Sequence, residues 1–249
     1  MKKLSFPILL AGASLLASSG AMAQAAPQSS LSFNAGVVTD YRYRGISQSR
    51  LKPAVQAGVD YADKSGFYVG AWGSTIKWIK DTAPGVTDGS TELDLYGGYK
   101  GTAGAVSYDV GVLRYQYLGN KGLSANANTT EVYGAVTVGL FTAKYSHSLT
   151  DTFGNVNSDG SYYIDLSAAI DLGNGFTLTP HVGRQSIKNA AAGGSYTDYS
   201  LTLAKDLGKG LSATLMAVDT NAGKTFYTLG TTNKYLGKEA LVAGIKYAF

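Results

Sequence analysis

The chain has 249 residues, of which 45% are hydrophobic and only 15% charged, with 32 glycines, 18 tyrosines, 5 prolines and no cysteine. An ordinary soluble domain carries roughly 25% charged residues, so this surface is unusual. The missing cysteine excludes a disulfide scaffold, a thiolate metal site and a thiol enzyme, and the low charge argues against a disordered chain. The net charge of +4, part of it supplied by Lys2 and Lys3, is too weak a bias for a nucleic-acid binder.

Lys2 and Lys3, the apolar stretch Leu4–Leu16 and the small-residue site Ala21-Met22-Ala23 have the form of a secretion signal. That stretch falls short of the roughly 20 residues a bilayer-spanning helix needs. Residues 1–23 are therefore expected to be removed on export, leaving 24–249 as a single domain without a lipid-bearing cysteine.

Beyond Gln24 the pattern has period two. Leu31, Phe33, Ala35, Val37, Thr39, Tyr41 and Tyr43 share one face, while Ser32, Asn34, Gly36, Asp40 and Arg42 share the other. The same template predicts strands over 31–43, 54–62, 67–79, 91–100, 105–117, 131–138, 141–149, 161–171, 176–186, 196–206, 211–220 and 239–249. Short turns (63–66, 101–104, 139–140, 171–175, 207–210) alternate with long connections (44–53, 80–90, 118–130, 150–160, 187–195, 221–238). That asymmetry predicts an all-β fold: a transmembrane antiparallel up-and-down β-barrel of about 12 strands, with short periplasmic turns and long extracellular loops.

Facing residues across each turn must share a face. The expected pairs are Tyr61 with Tyr68, Tyr99 with Val106, Val138 with Phe141, Ile170 with Phe176, and Leu203 with Leu211, all outward. The third strand would then turn Tyr68, Trp72, Ile76 and Trp78 outward and Lys77 inward. Arg114 falls outward near the upper rim, which calls for a bulge near Leu113 or a snorkelling side chain.

The last strand alternates Leu241, Ala243, Ile245, Tyr247 and Phe249 on one face, and Tyr247 with the terminal Phe249 resembles the signal read by the outer-membrane barrel-assembly machinery. Tyr41, Tyr43, Trp78, Tyr115 and Tyr117 at the upper rim and Tyr61, Tyr68, Tyr99 and Phe249 at the lower one are expected to form two interfacial aromatic belts.

The run Asp40-Tyr41-Arg42-Tyr43-Arg44-Gly45-Ile46-Ser47-Gln48, with Pro53-Ala54-Val55-Gln56, Gly66-Phe67-Tyr68 and Trp72-Gly73-Ser74, resembles the TorF family of bacterial porins. Glu92 to Tyr99 and Tyr108-Asp109-Val110-Gly111 extend the likeness over nearly the whole exported chain. The resemblance implies an outer-membrane barrel of Gram-negative bacteria and brings no catalytic residue and no substrate with it.

The inward phase is expected to line a pore with Asp60, Glu92, Asp94, Asp109, Glu131 and Asp165 against Arg42, Lys77, Lys144 and Lys246, joined by His181. Gly36, Gly58, Gly73, Gly98, Gly111, Gly183 and Gly244 are also read as inward, either thinning the wall or allowing curvature. Asp165 opposing His181 suggests a hydrolase pair, but no neighbouring hydroxyl is marked as a nucleophile. His147 falls on the other face, so a histidine-built metal centre is not expected. No cofactor is called for and the chain reads as a non-enzyme. Arg44, Arg50, Lys52, Lys80, Lys121, Lys188, Lys224, Lys234 and Lys238 in the long loops suggest contact with lipopolysaccharide phosphates. The expectation is a passive channel for small hydrophilic solutes or ions; the alternative is a closed structural or adhesive barrel acting through its loops.

Overall fold

The computed structural model describes residues 29–82, 88–121, 123 and 126–249; the expected export signal lies outside them. Twelve strands close into one antiparallel barrel. In chain order they are β1 Ser30–Val38, β2 Ala54–Ala62, β3 Phe67–Thr75, β4 Thr91–Ala103, β5 Val106–Leu118, β6 Thr129–Val138, β7 Phe141–Ser148, β8 Tyr162–Ala168 with its continuation Ile170–Gly173, β9 Phe176–Ser186, β10 Tyr196–Gly208, β11 Leu211–Thr220 and β12 Ala240–Ala248. β1 pairs with β12, and beyond that ladder Phe33 and Phe249 exchange backbone hydrogen bonds of 2.8 and 3.0 Å. Closure gives each described barrel strand a partner on both sides, which limits the template for edge-to-edge association.

Alternation sorts the side chains. Leu31, Phe33, Val37, Val55, Leu95, Val110, Val112, Val136, Leu166, Leu201, Leu215, Leu241 and Ile245 are all exposed on the outside. An apolar surface of this extent is unfavourable in water and suits hydrocarbon. No described helix is long and apolar enough to cross a membrane; the strands carry the apolar band.

The third strand differs from expectation. Asp63 pairs with Phe67 through the backbone, so the turn holds three residues, Lys64 to Gly66, with Gly66 at φ +104°. Tyr61 therefore opposes Val69, not Tyr68. A one-residue slip exchanges the two faces of a strand: Tyr68, Trp72 and Ile76 are buried inside, Phe67 and Val69 are exposed outside, and Gly70 instead of Gly73 faces the lumen. Val138 pairs with Phe141 as expected. Tyr99, Ile170 and Leu203 keep their expected faces but pair further along, with Val110, Leu178 and Leu215.

β1 stops at Val38, before the expected 43, and β3 at Thr75, with a short helix, α1 Trp78–Thr82, where strand was expected. The register through Leu113 is unbroken, so there is no bulge: Arg114 points outward and donates to Thr130 Oγ1 at 2.8 Å.

The expected upper aromatic belt is replaced by an interior cluster. Tyr41, Tyr43, Tyr115 and Tyr117 are buried inside, and Trp78 packs against them. At the opposite rim Tyr61 and Phe249 are exposed; Phe67 meets Tyr99 edge-on at 5.0 Å, and Phe33, Tyr247 and Phe249 stack.

Candidate functional site in the barrel lumen

The lumen has two tiers. The loop-side tier is filled by the chain itself: every residue from Asp40 to Ser49 is buried. Arg42 pairs with Ser47 and Tyr43 with Ile46 in a minimal hairpin whose central residues, Arg44 and Gly45, both have positive φ (47° and 79°), as a tight type I′ turn requires. Glycine fits there without a Cβ penalty. Arg44 takes the same conformation because its side chain is held.

That side chain is the centre of the tier. Its guanidinium donates to both oxygens of Glu131 (3.1 and 2.7 Å) and to Gln185 Oε1 (2.6 Å), and lies over the rings of Tyr43 and Tyr163 at 4.7 and 4.3 Å. Two-point pairing with a carboxylate plus ring stacking is a geometry arginine forms and lysine does not. Arg42 binds Asp40 (2.6 Å) and the carbonyls of Gly45 and Lys238; Ser47 and Ser49 donate to Asp40. Tyr41 donates to Glu92 at 2.8 Å, and the hydroxyls of Tyr43 and Tyr115 meet at 2.6 Å. Backbone bonds from Ser47 to Leu236 and from Lys77 to Gln48 tie the hairpin to the last and second long loops.

The turn-side tier is half-exposed and ionic. Tyr96 donates to Asp60 (2.5 Å) and Tyr68 to Asp109 (2.6 Å), with the Tyr133 hydroxyl against Tyr68. Lys100 lies 3.6 Å from Asp109, and Lys144 sits 4.1 Å over the ring of Tyr133. Lys246, opposite Gly36, belongs to the same inward phase. Glu92 and Asp94 are buried side by side at the junction.

Inward glycines have a specific task here. A Cβ at Gly70, Gly98, Gly111 or Gly183 would strike the ring or hydroxyl of Tyr96, Tyr68, Tyr133 or Tyr163 respectively. They are the seats on which tyrosines from neighbouring strands lie flat against the wall.

His181 opposes Ser167 in the ladder, not Asp165, yet its Nε2 reaches Asp165 Oδ2 diagonally at 2.8 Å and the Tyr163 hydroxyl at 3.2 Å. Its Nδ1 lies 3.7 Å from Asp198, to which Tyr163 also donates. The imidazole thus meets two carboxylates and a phenol.

Of the expected lumen residues, Arg42, Asp60, Glu92, Asp94, Asp109, Glu131, Lys144, Asp165, His181 and Lys246 face the interior. Lys77 does not: it is exposed just past β3, out of phase by the same slip that turned Tyr68 inward. Arg44 and Arg50, expected on an outer loop surface, are engaged with Glu131 and Asp81. Sequence reasoning missed Asp198 and Tyr196, although outward Leu201 and Leu203 already put even-numbered residues of β10 inside. Among the described residues no group of three or more His, Cys, Asp or Glu is arranged to hold a metal.

A family profile described as "Bacterial protein of unknown function (Gcw_chp)" matches residues 22–249. The chain belongs to the Gcw_chp family. No curated protein sequence matches it. The Gcw_chp barrel is similar in structure to the KdgM porin (8% identical, TM-score 0.55, covering 89% of this chain and 99% of that one). It is also similar to the NanC porin (11% identical, TM-score 0.53, covering 88% and 99%). At such identities the likeness is one of fold.

Proposed function

We propose that this Gcw_chp chain is a porin-like channel of the bacterial outer membrane, exported by removal of residues 1–23 and passing small hydrophilic solutes or ions. The observation that carries the reading is an interior rich in ionisable side chains within a barrel whose exterior is apolar. A barrel built only as a scaffold gains by filling its interior with apolar side chains, because buried charges cost several kcal/mol each unless paired or wet. The TorF-like run Asp40–Gln48 forms the inserted hairpin, so that resemblance and the lumen concern the same residues.

Carboxylates outnumber cations along the wall, which favours cations and neutral solutes over anions. KdgM is described in complex with disordered oligogalacturonate, a polyanion; the acid-rich wall here suits a different passenger. Reversal potentials in a KCl gradient should show weak cation selectivity, and liposomes carrying the protein should swell in small neutral sugars. Anion selectivity would sink the charge argument. The inserted hairpin favours a second reading, a closed barrel acting through its loops.

A further inference from the structure

Arg114 is a cation that the alternation of β5 turns toward the membrane side, between Val112 and Leu118, both exposed. Among the described residues its five N–H donors make one side-chain hydrogen bond, to Thr130 Oγ1 at 2.8 Å. Among the described residues no carboxylate lies within ion-pair distance of it.

Next to it, about 7 Å along the strand toward the turn rim, is a shallow, open apolar groove of about 530 Å³ lined by Phe67, Gly97, Tyr99, Val110, Val112 and Val132. Its origin is Gly97, which the ladder sets between Val69 and Val112 where every neighbour carries a side chain. Gly134, beside Val110, widens the same face: a Cβ there would meet only Val110 Cγ1, at 3.9 Å. The edge-on pair Phe67 and Tyr99 closes the foot.

We propose that Arg114 and this groove form a site for a phosphate-bearing lipid of the loop-side leaflet, phosphate on the guanidinium and one acyl chain along the groove. The inference rests on the membrane-spanning reading above. Hydrocarbon is what an apolar groove in the outward band faces, and an unpaired guanidinium with free donors is the group that binds phosphate at two points. Arg184 provides the contrast: it also points outward and bonds a threonine, Thr197 at 3.3 Å, but it lies on β9, away from the strands that line this groove.

The test is native mass spectrometry of the folded barrel in uncharged detergent with dilauroyl phosphatidic acid or dilauroylglycerol. The wild-type protein should retain the phosphate-bearing lipid about ten-fold better than its phosphate-free counterpart. Arg114→Gln should abolish that preference, Val112→Phe should reduce retention of both lipids by filling the groove, and Arg184→Gln should change neither. Equal retention by Arg114→Gln, or an equal loss in Arg184→Gln, would overturn the site. Flotation with phospholipid vesicles separates this from the underlying reading. A barrel that floats but shows no phosphate preference overturns the site alone, whereas one that stays in the aqueous layer overturns both.

Discussion

The residue on which the interior turns is Arg44. It neutralises Glu131 within a buried setting, so Arg44→Gln leaves a carboxylate without a counter-charge, at a cost of about 3–5 kcal/mol. The expected result in urea unfolding is a large loss for Arg44→Gln and a smaller one for Arg44→Gln with Glu131→Gln, because the double variant buries no orphan charge. A single variant as stable as wild type would refute that role. At the opposite rim Ser65, through its side chain and backbone N–H, and the Ser29 hydroxyl hold the Asp63 carboxyl down at about 2. A depressed carboxyl contributes stability that is present above its unfolded value near 4 and is lost as pH falls toward 2. NMR titration of Asp63 should give a midpoint near 2; a midpoint near 4 would show the turn to be unformed.

At the scale of elements, the strand positions were readable because period two is strong in almost every segment. Two things were not. The turn after β2 contains Gly66, and nothing local distinguishes a three-residue loop closed by Asp63 and Phe67 from a four-residue one; that single choice inverted β3 and with it Lys77 and Tyr68. The run from Tyr41 to Ser47 alternates like a strand because it is one, paired with itself inside the lumen, and only tertiary contacts such as Arg44 with Glu131 reveal where it goes. The turn geometry makes a prediction. Gly66→Ala places a Cβ against the Lys100 carbonyl at φ +104° and should cost about 1–3 kcal/mol. Gly104→Ala, at φ +62° with open space around it, should cost about 1 kcal/mol. Unfolding of the two variants under one set of conditions would show the reverse order if the β2–β3 turn were misassigned.

For the whole molecule, the sequence pattern led to a closed barrel with an ionic interior, and the structure adds that one mouth is filled by the chain's own hairpin. The loop-side part of the lumen is therefore filled by the segment Asp40–Ser49, with Arg44, Arg42 and Asp40 holding it in place. On the proposed channel reading, free passage through the barrel requires that segment to be released. The direct measurement is single-channel conductance in planar bilayers of the wild-type barrel and of a variant in which Gly-Ser replaces Tyr41–Gln48, each first shown to be folded by heat-dependent gel mobility. Small steps in the wild type and several-fold larger ones in the variant are the expected result. Folded barrels that stay silent both with and without the hairpin would contradict the channel and leave the closed, loop-acting barrel in its place.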